Sequence, residues 1–360
     1  MAVPFTRLVS EAIDNYGDQE LYDNLARYDG IVAYLGTRGS IVYEVGGQPN
    51  FRERILYGQN TNTAFRGKNQ QISTVDDDGI TMSSTPQAII DGAIVVNQVE
   101  LDQVAGNSQL GAGLIKDKLA QFNSTYIQVI ADAFRQATPG ANDPYTLLPG
   151  SNSGTVNGIL IARTPAQQNT DGATTAGIAR AGNPWWQNQY SNTSYDLTST
   201  AGRRGLYLDV YAPCVRGASK MFEPDFGVAA TVIQASLGAA ADNNRRGTYE
   251  DTAMMHLGYD NIMFYNAAII RDSSTRFLNG TAGKIAFLSS RALKLKVLRG
   301  QGKVKQEMLD QKNNLKSLPI NWKHEMQSDI DSLNYVTVGY CVMNIVPKSL
   351  QDLGLADNCS

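Results

Sequence analysis

The sequence is poor in the side chains that most often carry enzyme chemistry. Its 360 residues include only two histidines, His256 and His324, and only three cysteines, Cys214, Cys341 and Cys359. A histidine general base or a histidine-based metal site would have to use one of two residues that lie far apart in the chain. The cysteines are odd in number, widely spaced and in no metal-ligand pattern, which predicts structural thiols in a reducing compartment. We therefore expect no catalytic site, no cofactor and no metal.

Long apolar runs and an excess of positive charge are missing as well. No apolar run approaches the ~18 residues that span a bilayer, so we expect neither a signal peptide nor a membrane segment. The net charge is −3 and the isoelectric point is near 5.5. Proteins whose main task is to grip nucleic acid need a basic surface. The charge balance therefore argues against that class.

Two glycine-rich stretches approach nucleotide-binding patterns and fail them. Residues 280–284 (GTAGK) would need a glycine six residues before Lys284 and a serine or threonine after it, but Leu278 and Ile285 occupy those positions. Gly111 and Gly113 lack the third glycine of a dinucleotide-binding turn. Neither stretch predicts a phosphate site.

One segment, residues 291–305, is locally basic and contains no acidic residue. It could contact a phosphate backbone, or it could be an exposed strand edge that lysines protect from aggregation. Its basic residues are Arg291, Lys294, Lys296, Arg299, Lys303 and Lys305.

The strongest periodic pattern predicts a long amphipathic helix over residues 112–138. Apolar residues recur at steps of three or four, which places them in one stripe along a helix. Gly111 and Gly113 mark its start, and Pro139-Gly140 marks its end. The opposite face is polar, so we expect it to be solvated or to face a partner. The predicted stripe consists of Ile115, Leu119, Phe122, Tyr126, Val129, Ala133 and Ala137.

The segments before this helix predict an arm and a long hairpin. Residues 5–35 have short helical patterns without a core of their own, and residues 51–58 alternate as a strand does. Residues 59–79 are almost wholly polar, and residues 80–99 return to strand character. The polar stretch is either a disordered loop or a long exposed hairpin. Because two strands alone are marginally stable in water, we expect a neighbouring molecule to supply further contacts.

The rest of the chain predicts a β-rich region with a few helices. Residues 158–162 indicate a short buried strand, and Trp185-Trp186 indicates an aromatic anchor, buried or at an interface. Helices are predicted at 206–220 and at 226–242, the second after the helix-start pair Pro224-Asp225. Short strands between 254 and 298 follow, and residues 334–346 form one strand or a strand pair. A chain of this length can hold two or more cores.

The order of these parts resembles the major capsid protein of tailed bacteriophages, a family whose fold is shared with encapsulins. ERILYG (53–58) resembles that family's first hairpin strand, and residues 58–88, with FRG at 65–67, resemble its extended loop. AIIDGAIVVNQVELDQVAG followed by LIKDKLAQFNSTYIQVIADAF is similar to the strand and spine helix of its peripheral domain. WWQN (185–188), EPDFGVAATV (223–232) and residues 251–279 are similar to its axial domain. The likeness covers about residues 20–346.

The resemblance implies an α+β chain with the phage major capsid protein fold. Its parts would be an N-terminal arm (1–50), an extended β-hairpin loop (51–88), a peripheral domain (89–150 and 334–350) with the spine helix 112–138, and an axial domain (151–333). It implies a non-enzymatic structural subunit that self-assembles into the pentamers and hexamers of an icosahedral capsid. The candidates for intersubunit contact are Phe65, Arg66, Lys68, Trp185 and Trp186.

The resemblance also implies partners and a location. The partners would be many copies of the chain, a separate scaffolding protein, a portal and, as an option, a decoration protein. The shell would enclose double-stranded DNA without sequence-specific binding, assemble in the host cytoplasm and form part of the virion, with no membrane contact. Two alternatives stay open: an encapsulin-like compartment with a protein cargo, and an enzyme whose β-rich domain binds substrate at Trp185-Trp186.

Overall fold

The structure is a computed structural model of the chain. It describes residues 30–46, 48–58, 79–97, 99, 108–134, 136, 143–147, 158–170, 172–215, 223–243, 261–272, 283–299, 321–323 and 334–360. Both histidines, most of the predicted arm and nearly all of the predicted polar loop lie outside these residues.

The helices include one long rod and several short segments. Among the described residues, no helix is long and apolar enough to cross a membrane. The helix Thr200–Leu206 is followed directly by a π-helical turn, Tyr207–Tyr211, and an α-helical turn, Ala212–Cys214. The helices are α1 (Gly30–Thr37), α2 (Ser108–Phe134), α3 (Pro165–Gln168), α4 (Thr200–Leu206) and α5 (Thr231–Asn243).

The strands confirm the predicted hairpin and the predicted strand near the end of the chain, which is one long strand. They are β1 (Ile41–Val45), β2 (Asn50–Leu56), β3 (Ile80–Pro86), β4 (Ala88–Asn97), β5 (Thr174–Thr175), β6 (Ile178–Ala179), β7 (Gln189–Ser191), β8 (Phe226–Ala230), β9 (Asn261–Phe264), β10 (Ala267–Asp272), β11 (Gly283–Leu288), β12 (Leu293–Arg299), β13 (Asn321–Lys323), β14 (Asn334–Pro347) and β15 (Gly354–Cys359).

The first large sheet is organised around β14. Its order is β1-β12-β14-β13, and β4 pairs antiparallel with β14 from Asn334↔Asn97 to Met343↔Ala88. Helix α2 lies against β4. Its buried residues Tyr126, Ile130 and Phe134 belong to the same core as Cys341 on β14. A strand 14 residues long can pair with three others because each partner uses a different part or edge of it.

The second large sheet has the order β7-β15-β11-β8-β10-β9. Successive side chains of a strand point to opposite faces. On β8, Phe226 and Val228 therefore join the first core, whereas Ala229 joins a second core with α4 and α5. Ile233 on α5 and Phe287 on β11 lie in that second core. The expectation of more than one core is confirmed.

The long helix is confirmed, but its bounds and its buried stripe differ from the prediction. It runs from Ser108 to Phe134 rather than over 112–138. Val129, assigned to the stripe, is 48% exposed, whereas Ile130 is fully buried. Consecutive residues are about 100° apart around a helix, so the side that meets the sheet is turned toward Ile130. Spacing alone left this phase open because both positions are apolar.

The strand predicted at 158–162 is wrong, although the segment is buried. Only an isolated bridge, Thr146↔Gly158, is present there. The backbone of Ile161 pairs with an amide side chain instead: Ile161 N donates to Asn188 Oδ1 at 3.0 Å, and Asn188 Nδ2 donates to Ile161 O at 3.1 Å. A side chain thus satisfies the groups that a neighbouring strand would otherwise pair with.

The helix predicted at 226–242 begins later than expected. Phe226–Ala230 is β8, and the helix runs over Thr231–Asn243. Asp225 does not cap a helix, because its carboxylate accepts from Ser290 N at 2.8 Å. The apolar run FGVAA suits a strand buried on both faces equally well, and periodicity does not separate the two in so short a segment.

Candidate functional site

The β2–β3 hairpin forms a separate two-stranded sheet. Its strands pair antiparallel over their whole length. Phe51 and Ile55 lie on the inner face and are 0% and 7% exposed. Leu56, Ile80 and Met82 lie on the outer face and are 75%, 58% and 47% exposed. Clustered exposed apolar side chains of this kind are typical of a surface that another molecule covers.

The two strands stay in contact up to the point where the predicted polar loop begins. Tyr57 N and Gly58 N both donate to Gly79 O, at 3.0 and 3.1 Å. A Cβ atom added to Gly79 would lie 3.0 Å from Gly58 O. The close approach of the two backbones explains why glycine occupies both positions.

A buried lysine ties the hairpin to the first large sheet. Lys296 on β12 is 3% exposed, and its Nζ forms ion pairs with Glu44 and with Glu53, the latter at 2.9 Å. The same Nζ donates to Arg52 O at 2.9 Å. Lys348 Nζ lies 3.2 Å from the second oxygen of Glu53. Through these contacts Lys296 connects β12 with both β1 and β2.

This geometry corrects one interpretation of the basic stretch 291–305. Strand β12 lies between β1 and β14, so it is not an exposed sheet edge. Lys296 is buried and paired with carboxylates, so it attaches the hairpin to the sheet and does not protect an exposed strand edge. Lys303 and Lys305 lie outside the described residues.

The predicted aromatic pair divides into one core residue and one contact residue. Trp186 is fully buried, and its Nε1 donates to Thr175 O at 3.0 Å. Pro184 begins the 3₁₀ turn Pro184–Trp186 that carries both rings. Trp185 is half-buried, and its ring stacks on Tyr57 with centroids 4.9 Å apart and planes 15° apart. A buried tryptophan thus fixes the position of its neighbour at the hairpin.

Two further hydrogen bonds hold the other strand of the hairpin. Ser84 N donates to Ala176 O at 2.8 Å. Asn344 Nδ2, from β14, donates to Pro86 O at 2.7 Å. Strand β3 is therefore fixed at its middle and at its end, while Ile80 at its start is exposed.

The predicted contact residues have different outcomes. Phe65, Arg66 and Lys68 lie outside the described residues. Trp185 is half-buried and accessible in part, so its contact with a neighbouring subunit stays a prediction. Trp186 is 0% exposed within the subunit, which fits the buried alternative for the aromatic anchor, and its contact with a neighbouring subunit stays an untested prediction.

A buried arginine beside these tryptophans was missed in the sequence. Arg180 is fully buried and its neighbours in the hydrogen-bond network are neutral: it donates to Thr175 Oγ1, Gln168 Oε1, Asn188 Oδ1 and Ile159 O at 2.7 to 3.0 Å. Burial lowers the pKa of Arg180 to about 9. The amide-rich composition of 160–190 was the available signal, but it did not identify which cation the amides surround.

The thiol groups of the chain are enclosed. All three cysteines are unpaired and buried, and burial raises the pKa of Cys341 and of Cys359 to about 12. Thiols in this state are poor nucleophiles. The residues that the structure describes contain no group of three metal-ligating side chains close enough to share an ion.

A groove of about 410 Å³ lies between α2 and β4, with Phe122 and Asp91 among its lining residues.

Comparison with solved structures identifies the fold. A chain of the cyanophage A-1(L) capsid asymmetric unit superposes with a TM-score of 0.51 at 13% identity, over 89% of this chain and 90% of that one. This chain has a phage capsid fold. Lower TM-scores, 0.49 and 0.42, are found for the capsid of an empty GTA particle (9% identity, 91% and 90% covered) and for a virus-like particle from Pyrococcus furiosus (8% identity, 98% and 100% covered). No protein-family model and no curated protein matches the sequence.

The match confirms the resemblance at the level of the whole fold. It covers nine-tenths of both chains, so the likeness is not confined to one sheet. The division of the phage capsid fold into arm, loop, peripheral domain and axial domain stays a prediction for this chain.

Proposed function

We propose that this chain is a structural shell subunit of a phage head, a non-enzymatic protein that assembles with many copies of itself into pentamers and hexamers. The observation that carries the proposal is the superposition on a cyanophage capsid chain over 89% of the sequence. The cyanophage protein is a capsid component, and the shared fold supports the same role here. The net charge of −3 suits a container for double-stranded DNA, because a slightly acidic subunit does not attract the packed DNA strongly.

The parts of the subunit follow from the same proposal. The peripheral domain (89–150 and 334–350) would contain α2, β4 and β14, and the axial domain (151–333) would contain the sheet around β8, β10 and β11. Residues 1–50 would form the arm, and residues 51–88 the extended loop. Within that loop, Phe65, Arg66 and Lys68 would contact a neighbouring copy, and Trp185 would contribute at the loop's root.

Assembly would need other proteins. A separate scaffolding protein would guide closure, a portal would occupy one vertex, and a decoration protein is compatible with the exposed surface. The shell would form in the host cytoplasm and persist in the virion.

Co-expression with a scaffolding protein tests the proposal. Sedimentation and electron microscopy of the purified product should show closed shells or rings of megadalton size. Double-stranded DNA inside mature particles would support a phage head, whereas a protein cargo would support a compartment of the encapsulin kind. A stable monodisperse monomer at high concentration, with scaffold present, would contradict both.

A further inference from the structure

The hairpin is attached to the body at two levels. At the lower level, Phe51 and Ile55 are buried, and Glu53 is held by Lys296 and Lys348. At the upper level, one residue past the end of β2, the ring of Tyr57 stacks on Trp185. Glu53 and Tyr57 are four residues apart, which is about 13 Å along a strand.

The hydrogen bonds of Ser84 N and Pro86 O also belong to the lower level, because these residues pair with Arg52 and Asn50. Without the stack, the hairpin would keep all of these lower attachments, but its end above them could bend away from the body. Residues 59–78 connect Gly58 to Gly79. Half of them, ten residues, would span at most ~33 Å if fully extended. A tilt of about 10° would move a contact at that distance by ~6 Å, which is larger than the tolerance of any hydrogen bond.

Trp185 is well placed to act as a fixed support. Its neighbour Trp186 is locked in the core, with ring centroids 5.7 Å apart. Gln351 Nε2 donates to Pro184 O at 2.9 Å, which ties the turn to the segment after β14. Tyr57, in contrast, is 43% exposed, so burial of this ring contributes little to the stability of the subunit itself.

We infer that Tyr57 and Trp185 are positioning residues that set the direction in which the β2–β3 hairpin leaves the subunit. The inference rests on the proposed function, in which the hairpin carries a contact to a neighbouring copy. A stacked aromatic pair shifts an equilibrium by about two- to tenfold. Every copy in a shell must present its hairpin in the same direction. A smaller fraction of correctly directed hairpins in each subunit therefore lowers the yield of closed shells further.

Spin labels measure the hairpin direction in the unassembled subunit. The native cysteines are buried, so the exposed positions Ile80→Cys and Val45→Cys can be labelled selectively. The distance distribution between the two labels should be narrow in the parent and about twofold broader with Tyr57→Ala or Trp185→Ala. Tyr57→Phe keeps the ring and should restore the narrow distribution. Equal widths in the parent and both alanine variants would overturn the inference.

Shell formation provides the second measurement. Without labels, Tyr57→Ala should fold but yield at least about twofold fewer closed shells, and Tyr57→Phe should assemble as the parent does. Tyr265→Ala is the matched control, since Tyr265 is 60% exposed and stacks on Tyr207 at 4.0 Å, on the turn between β9 and β10. Normal shells from a subunit with a broadened hairpin distribution would overturn the positioning role. If the parent never assembles, the proposed function fails, and the label widths still decide whether the stack sets the hairpin direction.

Discussion

Arg180 and Lys296 are both buried cations, yet their surroundings differ. Lys296 lies between two carboxylates, Glu44 and Glu53. The hydrogen-bond partners of Arg180 are neutral oxygens, and burial lowers its pKa to about 9. Its several donors are nevertheless matched by acceptors that Gln168 and other residues hold in place. A guanidinium can satisfy this many acceptors at once because its donors form a rigid planar fork.

The buried thiols predict how stability depends on pH. Burial raises the pKa of Cys341 to about 12 from an ordinary value of 9.0. Between these values the unfolded chain loses a proton that the folded protein keeps, so the free energy of unfolding falls as pH rises. The stabilisation is fully present below about pH 9 and is lost as pH rises toward about pH 12. Other buried thiols and tyrosines act in the same direction.

Urea unfolding of the parent and of Cys341→Ala between about pH 8 and pH 11 checks this prediction. We expect the slope to be shallower in the variant by up to ~1.4 kcal/mol per pH unit above pH 9. The cavity left by the substitution lowers stability equally at every pH, so the slope is the decisive quantity. Parallel curves for the two proteins would contradict the raised pKa.

At the scale of elements, the choice between Val129 and Ile130 tests which face of α2 is buried. Ile130→Ala should cost about 2–4 kcal/mol, because the side chain is fully buried between the helix and the first large sheet. Val129→Ala should change the free energy of unfolding by less than about 0.5 kcal/mol, since surface substitutions have small effects. Chemical denaturation of both variants provides the comparison. A larger cost for Val129→Ala than for Ile130→Ala would mean that the stripe predicted from the sequence is the buried one.

Local sequence patterns predicted some of the helices and strands correctly and failed for others. The helix α2, the hairpin and β14 were predictable because each has a long periodic pattern of its own. The strand β8 was predicted as helix because five apolar residues carry no decisive period. The contacts that fix the hairpin were not predictable at all. Lys296 and Glu53 are far apart in the chain, and only the parallel pairing of β1 with β12 beside β14 brings them together.

At the scale of the whole molecule, the subunit combines packed cores with separate patches of exposed apolar side chains. Two large sheets share one core through β8, and Ile55 of the separate two-stranded hairpin sheet also lies in that core. The exposed apolar side chains Leu56, Ile80 and Met82 lie on the hairpin, and Val129 and Ile89 lie beside the groove between α2 and β4. Contacts between unlike surfaces of identical copies generate rings when the rotation closes. The separation of these surfaces therefore suits a subunit of a closed shell.

The polar segment between the hairpin strands supplies the last prediction. Residues 59–78 contain very little apolar surface, so their own contacts within one subunit can contribute little to folding. The hairpin root is held independently by Phe51 and by the Glu53 ion pairs. Deleting residues 62–76 should therefore leave the melting temperature of the free subunit almost unchanged. The deletion also removes Phe65, Arg66 and Lys68, the proposed contacts with a neighbouring copy.

Two measurements made side by side decide whether this segment acts as a clamp between copies. Subunits carrying the deletion should fold but fail to close into stable particles. In the parent, trypsin should cut at Arg66 or Lys68 in free subunits and much more slowly in shells, because a neighbouring copy would cover the segment there. A deletion that unfolds the subunit would place the segment in the core of its own chain. Normal particles without it would mean that the shell is held by other surfaces, with the groove between α2 and β4 as the next one to test.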